Sequence, residues 1–140
     1  MGSILVCTRG EDVVRELGPL LRGEHQVAVV PHVADAVRAL LLTRFDAIVL
    51  DLDEEKAGRL EALPIIGRLN PRVPTLAVSS QPTLEGEAAI RSAGIFCLLV
   101  RPLGPGELER HLAAALRWRA AGPTASPEPT HAKRATAFSG

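Results

Sequence analysis

The sequence predicts an α/β fold, a parallel sheet of five strands with helices on both faces. Short apolar runs alternate with stretches of helical periodicity, strand then helix, five times along the chain. The third run, Phe45-Asp46-Ala47-Ile48-Val49-Leu50-Asp51, is apolar without alternation from Ala47 to Leu50, the pattern of a strand buried on both faces. Units of this length join parallel strands by right-handed crossovers, which place helices on each side of the sheet.

Ile4 to Cys7 forms the first strand, and Thr8-Arg9-Gly10 turns the chain. Val13, Val14, Leu17, Leu20 and Leu21 follow at helical spacing over residues 11–22. Gly18-Pro19 lies inside that pattern, where proline removes a helix hydrogen bond, so this helix is expected to kink or split. Gln26 to Val30 is the second strand, closed by Pro31, and residues 33–43 carry Val33, Ala36, Val37, Leu40 and Leu41 on one helical face. After Asp51 comes the acidic loop Asp51-Leu52-Asp53-Glu54-Glu55, then a weaker helix around 59–69, expected to be interrupted by Pro64.

Pro74 opens the fourth strand, Thr75 to Ser79, and residues 84–93 form a short helix ended by Gly94. Phe96 to Val100 is the fifth strand, stopped by Pro102. The last helix runs from Gly104 to about Ala121, with Leu108, Leu112, Ala115 and Leu116 on its apolar face. Residues 1–121 thus make one domain. From Gly122 onward Pro, Ala, Ser and Thr dominate, and the tail 122–140 is expected to be disordered.

Composition narrows the function. The 140 residues are 46% hydrophobic and 23% charged, which is globular, and 16 basic residues balance 16 acidic ones. A zero net charge gives no general reason to bind nucleic acid or an anionic membrane. Apolar stretches such as Ala39 to Leu42 and Ala47 to Leu50 are too short to span a bilayer, and the N-terminus has no signal-peptide pattern, so a cytoplasmic location is expected. Cys7 and Cys97 match no metal or redox spacing and read as small buried hydrophobes.

In open sheets of this class, chemistry gathers at the carboxyl ends of the strands. The polar residues there are Thr8 and Arg9 after the first strand, Asp51 after the third, Ser79 after the fourth and Arg101 after the fifth. No glycine-rich phosphate loop, Ser-His-Asp set or metal-ligand cluster stands out, so an independent catalytic activity is not expected. His25, His32, His111 and His131 share no ligand spacing and are expected at the surface, while Trp118 suits either a partner anchor or packing over the sheet edge.

At these residues the chain resembles a response-regulator receiver domain of two-component signalling. Phe45 to Asp51 is similar to that family's third strand, which ends in the phosphoacceptor aspartate. Pro74-Thr75-Leu76-Ala77-Val78-Ser79-Ser80 is similar to its fourth strand, ending in a hydroxyl residue. Gly94 through Val100-Arg101-Pro102-Leu103 is similar to the segment that closes with a Lys-Pro pair. The resemblance covers residues 3–120. It implies a flavodoxin-like, doubly wound sheet of order 2-1-3-4-5, with Cys7 and Cys97 roughly 14 Å apart and unable to pair. It also implies a cis Arg101–Pro102 bond, a histidine kinase or other signalling protein as partner, and dimerisation through the last helices.

The resemblance assigns Asp51 as phosphoacceptor, Ser79 as switch hydroxyl and Arg101 in the place of the phosphate-pairing lysine. Asp51 and the backbone carbonyl of Asp53 would be magnesium ligands. The family's acidic pair after strand one is replaced by Thr8 and Arg9, a change of about three charge units that disfavours a dication. Glu11 and Asp12 begin the first helix and are expected to point away, whereas Asp51 is expected to be salt-bridged to Arg9 and Arg101. The strand-five aromatic is Leu98, an ordinary packed side chain.

Two readings follow: a phosphoacceptor receiver with weakened metal-dependent phosphorylation, or a degenerate receiver that binds partners without phosphorylation. A third class, a flavodoxin-like domain binding a small ligand, predicts a sizeable apolar pocket at the same strand ends. A chain with 3% aromatic residues offers little to stack on a flavin.

Overall fold

The computed structural model of the chain describes residues 2–23, 25–53, 56–80 and 84–121. The expected tail, 122–140, lies outside the described residues, as do Glu54, Glu55 and His131. Eleven elements follow in chain order: β1 (Ser3–Cys7), α1 (Glu11–Glu16), α2 (Gly18–Leu21), β2 (Gln26–Val30), α3 (Val33–Leu42), β3 (Ala47–Asp51), α4 (Lys56–Leu69), β4 (Thr75–Ser79), α5 (Leu84–Ser92), β5 (Cys97–Val100) and α6 (Glu107–Ala121).

The five strands form one parallel sheet in the order β2-β1-β3-β4-β5. Helices α1 and α6 pack together, and α3, α4 and α5 form a second row, α3 against α4 and α4 against α5. Covered on both faces, β3 and β4 are buried at every position, and β1 at all but its first. That burial is why Ala47 to Leu50 and Leu76 to Val78 show no polar alternation. The edge strand β2 is covered less well, and Val29 stands 43% exposed. Cys7 and Cys97 are buried on β1 and β5, with two strands between them and no disulfide joining them.

Local chemistry sets the boundaries. The helical pattern over 11–22 is split at Leu17, so that Pro19 falls in the first turn of α2, where its missing N–H costs nothing. Helix α5 ends at Gly94, which adopts φ +68°, a left-handed conformation that a side chain would strain. Gly104 precedes α6 rather than starting it. Its N–H donates to Glu107 Oε1 at 2.8 Å, and its carbonyl accepts the Glu107 N–H at 3.0 Å.

Pro64 does not interrupt its helix, contrary to expectation: α4 is continuous from Lys56 to Leu69. Pro64 and Ile65 are exposed while Ala62, Leu63 and Ile66 are buried. The proline ring thus lies on the solvent side, where water can take the carbonyl that it leaves unpaired, and the buried face holds the helix together.

Candidate functional site

Strand register brings four polar residues to one edge of the sheet. Cys7 pairs with Leu50, Asp51 with Val78, and Ser79 with Val100, so Thr8, Asp51, Ser79 and Arg101 lie at neighbouring carboxyl ends. Backbone bonds extend the ladder past the strands, from Thr8 N–H to the Val30 carbonyl, from Leu52 N–H to that of Val78, and from Arg101 N–H to that of Ser79. The Arg101–Pro102 peptide is cis, as the resemblance implies.

At the centre is the guanidinium of Arg101, gripped by three carboxylates. Its Nη2 donates to Asp51 Oδ2 at 2.7 Å and its Nη1 to Asp51 Oδ1 at 3.1 Å. Nε donates to Asp12 Oδ2 at 2.6 Å, Nη2 also to Asp12 Oδ1 at 3.1 Å, and Nη1 to Asp53 Oδ2 at 2.5 Å. All three nitrogens are engaged, and two of the carboxylates are held through both oxygens. The planar fork makes this possible, since it offers five N–H donors where a lysine ammonium has three.

Asp51 is surrounded from the other side as well. The Thr8 hydroxyl donates to Oδ2 at 2.7 Å and the Asp53 N–H to Oδ1 at 3.1 Å. Each oxygen therefore accepts two hydrogen bonds, and the side chain is 0% exposed. The Gly10 N–H donates to Thr8 Oγ1 at 2.9 Å, which orients that hydroxyl toward Asp51. Asp53 Oδ1 accepts the Ser80 N–H at 3.0 Å, tying the end of β4 to the cluster.

These contacts settle the charge states. Burial pushes the Asp51 carboxyl up. The bonds from Arg101, Thr8 and the Asp53 N–H outweigh it and hold the group below its ordinary value. The Arg101 bond draws the exposed-side partner Asp12 down too, against a smaller upward push from burial. Arg101 in turn is raised above its ordinary value, first by its bond to Asp51.

Of the sequence candidates, Thr8, Asp51, Asp53 and Arg101 come together. Arg9 does not: it is exposed, lines a shallow surface depression with Gly10, Glu11, Val14 and Arg15, and makes no ion pair with Asp51 among the described residues. Neighbouring side chains on a turn diverge, so Thr8 facing inward sends Arg9 out. Ser79 is buried beside the cluster, and its link to Arg101 runs through its backbone carbonyl. Asp12, expected to point away, instead bonds Arg101 through both its carboxylate oxygens from the first turn of α1. The sequence reading also missed Gly10 and the ion pair of Asp53 with Arg101.

Magnesium, implied by the resemblance, does not fit this donor set. A guanidinium fills the space between the three carboxylates, and both Asp51 oxygens are already saturated. Among the described residues no group of three His, Cys, Asp or Glu side chains is arranged to hold a metal ion.

Other features fall elsewhere. His111, expected at the surface, is buried, with Nδ1 2.8 Å from the Glu107 carbonyl, because its position on α6 faces the sheet beside Leu108 and Leu112. Trp118 packs over the sheet edge, its ring 5.9 Å from that of Phe96 at 49°. A cavity of about 580 Å³ opens at the amino-terminal side of β4, lined among others by Leu63, Asn70, Thr75 and Ile95. It lies away from the strand ends where a flavodoxin-like ligand site was expected. Among the described residues no helix is long and apolar enough to cross a membrane.

This sheet order, with an aspartate ending β3, a hydroxyl residue ending β4 and a cation before a cis proline after β5, matches the CheY-like flavodoxin fold that the resemblance to receiver domains implies. The transcriptional regulatory protein PrrA of Mycobacterium leprae (strain TN) is 30% identical over 126 residues, covering 89% of this chain and 54% of the relative. PrrA of Mycobacterium tuberculosis (strain ATCC 25618 / H37Rv) is 29% identical over the same shares. The chain spans about half the length of these curated relatives.

Among solved structures, a CheY-like receiver domain protein from Methanospirillum hungatei JF-1 superposes with a TM-score of 0.76 at 15% identity, covering 85% of this chain and 95% of that one. The signal receiver domain of an HD domain-containing protein from Pseudomonas fluorescens Pf-5 gives 0.75 at 18% identity, covering 86% and 97%. No family model matches the sequence.

Proposed function

We propose that the chain is a receiver module that signals through protein contacts, with Asp51 at the phosphoacceptor position and metal-dependent phosphorylation there weakened. The carrying observation is the state of Asp51: wholly buried, with two donors on each carboxylate oxygen and one donor of each pair supplied by Arg101. Transfer of a phosphoryl group needs a carboxylate oxygen free to attack in line and a cation to neutralise the incoming oxygens. Here the attacking oxygens must first shed Arg101. The receiver itself performs no turnover; its partner is a histidine kinase or another signalling protein, met in the cytoplasm without nucleic acid or membrane.

A second reading, the working phosphoacceptor, is favoured by the placement of Asp51, Ser79 and a cation on three adjacent strand ends. In it Ser79 and Arg101 bond the phosphoryl oxygens. The two readings part in one experiment. The protein and an Asp51→Asn control are given magnesium with a small acyl phosphate or with beryllofluoride, followed by intact mass and amide NMR. Little or no adduct and little or no shift around Asp51 is the expected result. A stoichiometric adduct on the wild type that the control lacks would establish the working acceptor and overturn the weakened reading.

A further inference from the structure

Gly10 and the guanidinium of Arg101 approach each other so closely that a side chain at position 10 would have to displace it or its partners. A Cβ built on Gly10 would lie 2.8 Å from Asp12 Oδ1, 2.9 Å from Arg101 Nη2 and 3.3 Å from Asp51 Oδ2. The backbone of Gly10 is extended, at φ −84° and ψ 129°, a conformation open to every amino acid. Glycine at this position therefore serves clearance for the side chains above it and not conformational freedom.

We infer that Gly10, Thr8, Asp12, Asp51 and Asp53 form a built seat for the Arg101 guanidinium, which is the pocket's resident cation in place of a divalent metal, with Gly10 the positioning residue. Three independent features converge on one planar group. The carboxylates of Asp12, Asp51 and Asp53 come from α1, β3 and the loop after it, and together accept five hydrogen bonds from the three guanidinium nitrogens. Thr8, where a metal ligand would be charged, supplies a hydroxyl donor to Asp51 and so adds no further negative charge next to the seat. Gly10 leaves open the space that Nη2 occupies.

The missing acidic pair and the arginine just after β5 are on this account two parts of one exchange. Taking away metal-binding carboxylates beside Asp51 would leave it unneutralised in a buried site, and the guanidinium repairs that deficit from the opposite side. The inference deepens the proposed function and rests on its reading of Asp51 as shielded.

Gly10→Ala tests the seat. The atoms that its methyl meets are the ends of side chains, so the fold can survive while the guanidinium is displaced. The full-length wild type and G10A are compared by NMR of the arginine side-chain Nε–H and of the backbone amides, without and with millimolar magnesium. In the wild type, the Arg101 Nε–H is expected to be slow to exchange, and the amides of Gly10, Asp12 and Asp53 to ignore magnesium. In G10A, with β-sheet amides unchanged, exchange of that Nε–H is expected to quicken by about tenfold or more. Saturable magnesium shifts centred on Asp12, Asp51 and Asp53 in the wild type would overturn the inference. So would an Nε–H equally protected in both proteins. Failure of the proposed function is seen separately, as a stoichiometric phosphoryl adduct on Asp51, which can arise even where Arg101 is protected in the unmodified protein.

Discussion

Thr8 and Asp51 face each other at the ends of adjacent parallel strands, with the threonine hydroxyl donated to Asp51 Oδ2 at 2.7 Å and both side chains buried. A neutral donor thus stands beside the carboxylate at the point where a second carboxylate would repel it. Thr8 also accepts the Gly10 N–H, so a single hydroxyl serves the turn and the pocket together.

Thr8→Val keeps the shape and removes the hydroxyl. It leaves a buried carboxylate short of one donor and the Gly10 N–H without its acceptor. The expected cost is about 1–3 kcal/mol, read from urea midpoints at constant m-value. A change below about 0.5 kcal/mol would contradict the pairing, since substitutions remote from such features fall in that range.

Asp51→Asn breaks a buried, hydrogen-bonded charge pair and is expected to destabilise the fold by about 3–5 kcal/mol near neutral pH. The pH dependence follows from the lowered folded value of Asp51 against its ordinary 3.8. A depressed carboxyl contributes stability in full above the unfolded value and loses it as pH falls through the folded one. The gap between wild type and D51N is therefore expected to hold from neutral pH to about 4 and to close below that, in denaturation series at stepped pH. A gap that widens on acidification would mean that Asp51 is not the ionised partner of Arg101.

Arg101→Lys is not a conservative change here. One ammonium has three donors against the five bonds that Arg101 makes to Asp12, Asp51 and Asp53, so at least two of those bonds are lost. A loss of about 1–3 kcal/mol is expected by the same denaturation assay. Equal stability of R101K and wild type would show that the fork geometry contributes nothing.

Pro64→Ala, on the exposed face of α4, restores an N–H to the interior of a 14-residue helix. Stabilisation by about 1–3 kcal/mol is expected, somewhat offset by the freer unfolded chain. Calorimetry would show a raised Tm, and a lowered one would mean that the proline ring packs against something that the alanine gives up.

The strands were legible because β3, β4 and β1 are buried on both faces and so leave unbroken apolar runs, and the split at Leu17 was legible because proline has a fixed geometry. Asp51, Thr8 and Arg101 could be placed together because strand ends in a parallel sheet align by register. Asp12 could not. Its contact with Arg101 spans 89 positions and depends on the reach of a long side chain, which no local pattern encodes. Gly10 looked like an ordinary turn glycine, and only the distance to Nη2 gives it a second meaning. His111 was misplaced because a histidine on an apolar helix face is indistinguishable in sequence from one at its border.

Arg101 also has a mechanical consequence. Its peptide N–H is tied to the Ser79 carbonyl, and its side chain to residues 89 and 50 positions away, while Asp53 holds the Ser80 N–H. Releasing the guanidinium therefore unfastens several long chain loops at once, a large gain in configurational freedom with no cheap intermediate. The amide protons of Thr8, Leu52 and Arg101, on three different strand ends, are therefore expected to exchange together, with the sheet's carboxyl edge yielding as a unit instead of fraying strand by strand.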